Sequence, residues 1–244
     1  MFNANSHALI TGATSGIGMQ LFKQLQPVVR EVIIIGRNQK ILQQLQTDHD
    51  NTTGYCCDLS DQANVCKLVK NIKTRHPDIN CIINNAGIQY TPSFIDPKFA
   101  FDSIAEEINL NLLCPAWMSY LFLPTLMQQN DAMIINISSG LALAPKKQSA
   151  MYCASKAGLH SLSQSLRYQL QASPVRVIEV LLPLVDTPMT TGRGKNKLSA
   201  ENAASQIIKG INSNKDEIYV GIARLLPILM QVSPTIVKKL LKRL

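Results

Sequence analysis

The run His7-Ala-Leu-Ile-Thr11 is closed by Gly12-Ala-Thr-Ser-Gly16-Ile-Gly18, after which Met19, Leu21, Phe22 and Leu25 continue at helical spacing. A buried strand that passes straight into a helix through a glycine turn leaves few folds open to a chain. Glycines let the backbone come close to a ligand, and the unpaired N–H groups at a helix start, with its dipole, suit a phosphate. The spacing Gly-x-x-x-Gly-x-Gly departs from the G-x-G-x-x-G dinucleotide fingerprint while keeping its mechanics. Alone, such a turn is equally compatible with a tight connection.

The rest of the chain repeats the alternation. Glu31-Val-Ile-Ile-Ile-Gly36 is apolar and β-branched, as a strand covered on both faces should be, and it runs into Arg37-Asn38. Further strands are expected at 53–58, 79–84, 131–137, 175–182 and 217–220, with helices at 63–73, 154–170 and 199–211 and a long helix or helix pair at 99–126. Strands alternating with helices imply an α/β fold. The expected form is a Rossmann-like, doubly wound parallel sheet of about seven strands, flanked by helices on both faces, with ligands at the carboxyl ends of the strands. An acidic residue about twenty positions past the glycines would bind the ribose 2′-hydroxyl of NAD, whereas an arginine pairs with the 2′-phosphate of NADP. Gly36 and Arg37 stand there, with no Asp or Glu, which favours NADP(H) over NAD(H). The plainer alternative makes Arg37 a solvated loop cation.

Within Met151-Tyr-Cys-Ala-Ser-Lys156, Tyr152 and Lys156 are four residues apart and can share a helix face. A nearby cation favours the phenolate, so this spacing predicts a Tyr152 pKa drawn down by Lys156. A solvated helix face would show the same spacing.

With 244 residues and 46% apolar content, one domain spanning 1–244 is expected. The opening is polar and no apolar segment reaches the length of a membrane span, which predicts a cytoplasmic protein. Six cysteines without C-x-x-C spacing and scattered histidines predict buried thiols, no disulfides and no metal site. The net charge of +8 suits anionic ligands, nucleic acid or an acidic membrane surface without choosing among them. The basic residues are dispersed and lack interleaved aromatics, which argues against nucleic acid.

With Gly12-x-x-x-Gly16-Ile17-Gly18, Asp58, Asn84-Asn85-Ala86-Gly87 and Tyr152-x-x-x-Lys156 in this order, the sequence resembles the short-chain dehydrogenase/reductase family. The likeness runs from about residue 4 to 220. It implies an oxidoreductase that interconverts a carbonyl and a secondary alcohol by hydride transfer, with Asn111, Ser139, Tyr152 and Lys156 as catalytic residues. Asn109 is the alternative to Asn111 by register. The cofactor-binding set it implies begins with Gly12, Thr14, Ser15, Gly16, Ile17 and Gly18 around the pyrophosphate, and Arg37 and Asn38 follow the second strand. Asp58 and Leu59 would meet the adenine, and Asn85, Ala86 and Gly87 the ribose. Lys156, with Tyr152, would reach the nicotinamide ribose, and Pro183, Val185 and Thr187 the nicotinamide side. A small-molecule substrate and a homodimer or homotetramer are implied as well, the latter through a helix whose stripe Leu159, Leu162, Leu166 and Leu170 suits either a second subunit or core packing within one chain. A rival from another class is a regulator that binds NADP(H) without turnover; a sensor has no need of Ser139 and Tyr152 together.

The loop Thr190–Lys197 is small and basic, and Arg193, Lys195 and Lys197 would either attract an acidic substrate or be solvated. After Ser233-Pro234, Ile236, Val237, Leu240, Leu241 and Leu244 form one face, with Lys238, Lys239, Lys242 and Arg243 opposite. This C-terminal helix, at about 233–244, suits docking on the protein or a partner, or weak contact with an anionic membrane surface. The Pro-Leu-Val-Asp-Thr stretch with such a tail is similar to the bacterial DltE-type subgroup of the family.

Overall fold

The strands can be apolar along their whole length because helices cover both faces of the sheet. In β1 (His7–Thr11), Ala8 and Ile10 join one hydrophobic core and Leu9 the other. In β2 (Glu31–Gly36), Val32 and Ile34 are separated from Ile33 and Ile35 in the same way. The computed structural model describes residues 1–242, without the side chains of Ile236, Lys238 and Leu240.

Between these strands lies α1 (Gly16–Leu25), followed after β2 by α2 (Gln39–Asp48), β3 (Thr52–Cys56), α3 (Gln62–Arg75) and β4 (Cys81–Asn84). Then α4 (Ser103–Ile108) passes through a π-helical turn, Asn109–Leu113, into α5 (Cys114–Leu126). The second half contains β5 (Ala132–Ser139), α6 (Ala150–Gln169), β6 (Val175–Leu182), the short strands β7 (Val185–Asp186) and β8 (Leu198–Ser199), α7 (Ala200–Asn212) and β9 (Glu217–Tyr219). Two helices end it, α8 (Leu226–Val232) and α9 (Pro234–Leu241). The main sheet has seven strands, all parallel, in the order β3-β2-β1-β4-β5-β6-β9. The order in which strands are added reverses between β1 and β4, which opens a crevice at the carboxyl ends of those strands.

Leu21, Phe22 and Leu25 of α1 pack with Ala203, Ala204, Ile207 and Ile211 of α7 on one face. Val65, Leu68, Val69 and Ile72 of α3 pack with Met118, Phe122 and Leu126 of α5 on the other. Each fully buried Leu, Ile, Val, Phe or Met side chain among them contributes roughly 1.5–3 kcal/mol. Side-chain caps start three of the helices: Asn38 accepts from Ile41 N–H, Asp61 from Asn64 N–H and Ser199 from Asn202 N–H.

Three details differ from the sequence reading. The long segment after Phe99 is two α-helices joined by a π-helical turn; Pro115, which has no N–H, sits in the first turn of α5, where the helical ladder must give. α6 starts at Ala150 rather than 154, after Ser149 in the left-handed region at φ 58°, so Tyr152 lies in its first turn. Cys56 and Cys66 are exposed, while Cys81, Cys114 and Cys153 are buried. Among the described residues, no helix is long and apolar enough to cross a membrane, and no group of three or more His, Cys, Asp or Glu could hold a metal ion.

Candidate active site

The carboxyl ends of the parallel strands open into a cleft of roughly 1500 Å³. Its first wall is the glycine turn. Gly12 and Gly16 have φ of 67° and 53°, a region other residues rarely adopt, and a Cβ on Gly12 would lie 2.9 Å from the Ala86 Cα. Ser15 starts α1 without a side-chain cap, so its hydroxyl takes up none of the helix's first N–H groups. Together these make a backbone-lined, anion-attracting cradle, and the residues present fit a dinucleotide pyrophosphate.

The turn is held from β4. Asn85 donates its amide to the carbonyls of Thr11 (2.9 Å) and Gly12 (3.3 Å). The Thr11 hydroxyl accepts the backbone N–H groups of Asn85 and Ala86, both at 2.9 Å. Asn85 is thus occupied in fixing the turn, and the backbone of Ala86 and Gly87 is left along the cleft. Arg37 is exposed at the end of β2, and the cleft there is lined by Arg37, Asn38, Asp58 and Leu59. Asp58 accepts from the Ser60 N–H (3.0 Å) and hydroxyl (2.7 Å), which hold its carboxyl below its ordinary pKa, with Arg37 adding to the effect.

On the other side of the crevice, β5 ends at Ser138-Ser139 and α6 brings in Tyr152 and Lys156. Lys156 is 5% exposed, and its Nζ donates to the Ile137 carbonyl at 2.8 Å. Burial pulls its pKa from 10.5 down to about 8, opposed by the carboxylate of Glu179. Tyr152 is pushed up to about 12 by burial, while hydrogen bonding with Ser139 pulls the other way. The expected depression of Tyr152 by Lys156 is therefore absent. Nζ sits 5.8 Å from the Tyr152 ring centroid and is turned to the strand backbone, so desolvation wins.

Asn111 is fully buried inside the π-helical turn. Its Oδ1 accepts from Ile88 N–H at 2.9 Å, and its Nδ2 donates to the Ile88 carbonyl (2.9 Å) and the Ser155 hydroxyl (3.2 Å). It links the loop after β4 to α6 from behind the cleft instead of lining it. Gly18 also lies off the cleft, where a Cβ would come within 2.2 Å of the Gly12 carbonyl oxygen. The other expected residues, including Ser139, Tyr152, Lys156, Pro183, Val185 and Thr187, do line it.

Sequence reasoning missed part of the site. Lys146, Gln89, Leu226 and Leu229 line the cleft without any sequence signal, because loops and tail are brought there by tertiary packing. Glu179 and Asn136 had a signal, a polar residue inside an otherwise apolar strand. Of the basic loop, Lys197 is consumed by an ion pair with Asp186 at 2.7 Å and a hydrogen bond to the Thr190 carbonyl at 3.0 Å. Of the expected tail stripe, Val237 is buried and Leu241 half-buried against the protein's own cleft; residues 243 and 244 and the side chains of Ile236, Lys238 and Leu240 lie outside the described residues.

Comparison with known proteins decides the family: the one described as short chain dehydrogenase matches residues 6–198. The chain belongs to the short-chain dehydrogenase family. Within it, the Bacillus subtilis protein called uncharacterized oxidoreductase DltE is 37% identical over 220 residues, 88% of this chain and 87% of its own length. A short chain dehydrogenase from Burkholderia cenocepacia J2315, solved in complex with NADP, superposes with a TM-score of 0.87 at 24% identity, over 97% of this chain and 98% of its own. A family member from Burkholderia phymatum in complex with NAD gives 0.84 at 19% identity, over 98% and 97%. This family member thus shares its fold with proteins that hold either nicotinamide dinucleotide.

Proposed function

We propose that the protein is an NADP(H)-dependent oxidoreductase interconverting a carbonyl and a secondary alcohol on a small molecule. The observation that carries the reading is the meeting of Ser139, Tyr152 and Lys156 at the end of β5, in the same cleft as the glycine turn. When bound, the dinucleotide supplies or accepts the hydride. Ser139 donates a hydrogen bond to the carbonyl oxygen, steadying the charge that grows there, and Tyr152 gives that oxygen its proton. The Lys156 ammonium stabilises the resulting phenolate, and its pKa of about 8 lets it exchange protons near neutrality. Asn111 fixes the Ile88 backbone and Ser155 behind this group.

The preference for NADP(H) rests on Arg37, an exposed guanidinium lining the cleft where a carboxylate would select NAD. The binding of NADP by the Burkholderia cenocepacia relative agrees with it. The same reading takes the chain as one cytoplasmic domain that self-associates as a homodimer or homotetramer. Tyr120 of α5 and Tyr168 of α6, 77% and 72% exposed, suit such contacts.

Fluorescence titration with NADPH and NADH tests the cofactor: at least a tenfold preference for NADPH, about 1.4 kcal/mol, is expected. Tighter NADH binding would make Arg37 a surface cation. Across a panel of ketones and aldehydes, Tyr152→Phe abolishes turnover and keeps NADPH binding. Retained turnover would refute the catalytic assignment.

A further inference from the structure

Six basic residues line the cleft (Arg37, Lys146, Lys156, Arg193, Lys195 and Lys197) against one acid among the described residues, Asp58. Most of these cations are accounted for. Arg37 stands at the end of β2, Lys156 donates to Ile137, Lys197 pairs with Asp186, and Lys195 is exposed. Asp58 stands beyond β3 and accepts from Ser60. Lys146 and Arg193 remain. Each is half-buried, and neither has an acidic partner among the described residues.

These two come from different segments. Lys146 lies between β5 and α6, and Arg193 lies between β7 and β8. Arg193 is steered by Gln89, whose Oε1 accepts from its Nη1 at 2.8 Å. Burial lowers the pKa of both, and Arg193 lowers that of Lys146 further, while the Tyr152 hydroxyl acts on Arg193. Two like charges drawn partly out of water without a counter-ion are unfavourable, and an anion placed between them would relieve both. The remaining wall is apolar, formed by Leu141, Leu184, Leu225, Leu226, Leu229 and Leu241. Leu184, Leu225 and Leu229 are 41%, 51% and 44% exposed, large side chains for which a ligand would provide cover.

We propose that the substrate is an amphiphile whose carboxylate- or phosphate-type oxyanion is held by Lys146 and Arg193 beside Tyr152, with its apolar remainder against the leucines of the tail. This names the substrate class of the reaction proposed above and rests on that reading for the position of the reacting carbonyl.

The test is calorimetric titration of the NADPH-saturated protein with octanoate, octyl phosphate and 1-octanol, which share one tail. At least one anionic probe binds about tenfold or more tightly than octanol. The better of the two identifies the headgroup. In Lys146→Gln/Arg193→Gln the discrimination disappears, while NADPH affinity stays within about twofold, which also shows that the variant is folded. Equal binding of octanol, no binding of either anion, or discrimination that survives in the double variant would each overturn the proposal. A parallel loss of NADPH affinity would overturn it too, by assigning the two cations to the cofactor. Because the readout is binding, Tyr152→Phe keeps the discrimination, so a failure of the proposed chemistry and a failure of anion recognition are read separately.

Discussion

Lys156→Met should make the cofactor-free protein more stable at pH 7 while abolishing turnover. Burial moves the Lys156 pKa from 10.5 to about 8, and at 1.36 kcal/mol for each tenfold change the gap amounts to about 3 kcal/mol against the charged form. Methionine keeps the aliphatic stem and removes the charge. It also gives up the charged hydrogen bond from Nζ to the Ile137 carbonyl, worth about 1.5–3 kcal/mol. The balance is a gain of about 1 kcal/mol, or roughly 2–4 °C in Tm for a chain of this size. The sign with pH follows from a folded-state pKa below the unfolded one. Between about 8 and 10.5 the unfolded chain holds more protons, so wild-type stability rises with pH through that window. From pH 7 to pH 9 the wild type therefore recovers about 1 kcal/mol of the variant's advantage. Urea unfolding of both proteins at the two pH values measures it, and subtracting one from the other cancels the titrating groups that do not feel Lys156. A variant less stable than wild type at pH 7, or an advantage that does not shrink by pH 9, would refute the argument.

Three further outcomes follow from the same geometry. Gly18→Ala puts a Cβ 2.2 Å from the Gly12 carbonyl oxygen and 2.5 Å from Asn85 Nδ2, so the turn must shift. The cost is about 1–3 kcal/mol with loss of NADPH binding, and an unchanged urea midpoint would contradict it. Asn111→Ala leaves the Ile88 N–H and carbonyl without their side-chain partner, at about 2–4 kcal/mol by chemical denaturation. Glu179→Gln removes the carboxylate that raises the His160 pKa, so by NMR His160 falls toward its ordinary value. The stability that this pair contributes is full below the unfolded histidine pKa and lost as pH rises through the raised folded value; the variant lacks it in acid. A His160 titration indifferent to Glu179→Gln would disprove the coupling.

How far the sequence could be read follows from what each half of the cleft is made of. The nucleotide half is built from backbone at strand ends, and its signals are local: a glycine turn after an apolar strand, an asparagine that ties it, and an arginine where a carboxylate would stand. Apolar strands and amphipathic helices such as α3 and α7 were legible because both periodicities are set by burial. The other half depends on side chains from three loops and the tail. Lys146 and Arg193 lie 47 positions apart, and nothing in their neighbourhoods predicts that they share a cleft. The π-helical turn and the early start of α6 were invisible for a related reason. Neither is capped by a side chain, and both are fixed by packing.

The polar row beneath α6 explains how such a site keeps its geometry. Asn84, Asn136 and Glu179 stand side by side on β4, β5 and β6, and all three are buried. Asn84 donates to Asn136 at 2.8 Å, Asn136 donates to Ser163 at 2.9 Å, and Glu179 holds His160 Nδ1 at 2.7 Å. His160 and Ser163 follow Lys156 on α6 at intervals of four and three residues, which places all three on one helix face. That face therefore meets the sheet through Ile137, Glu179 and Asn136 in turn. An apolar contact tolerates sliding, but a slip of one residue turns a helix by about 100° and advances it about 1.5 Å, and all three ties would break. The row leaves Asn84 Oδ1 and Glu179 Oε1 without hydrogen-bond partners among the described residues, at about 1–3 kcal/mol each. An apolar row would avoid that cost. It would also leave Tyr152, in the first turn of the same helix, free to drift from Ser139, and in the proposed reaction an error of about 1 Å there costs about a hundredfold in rate.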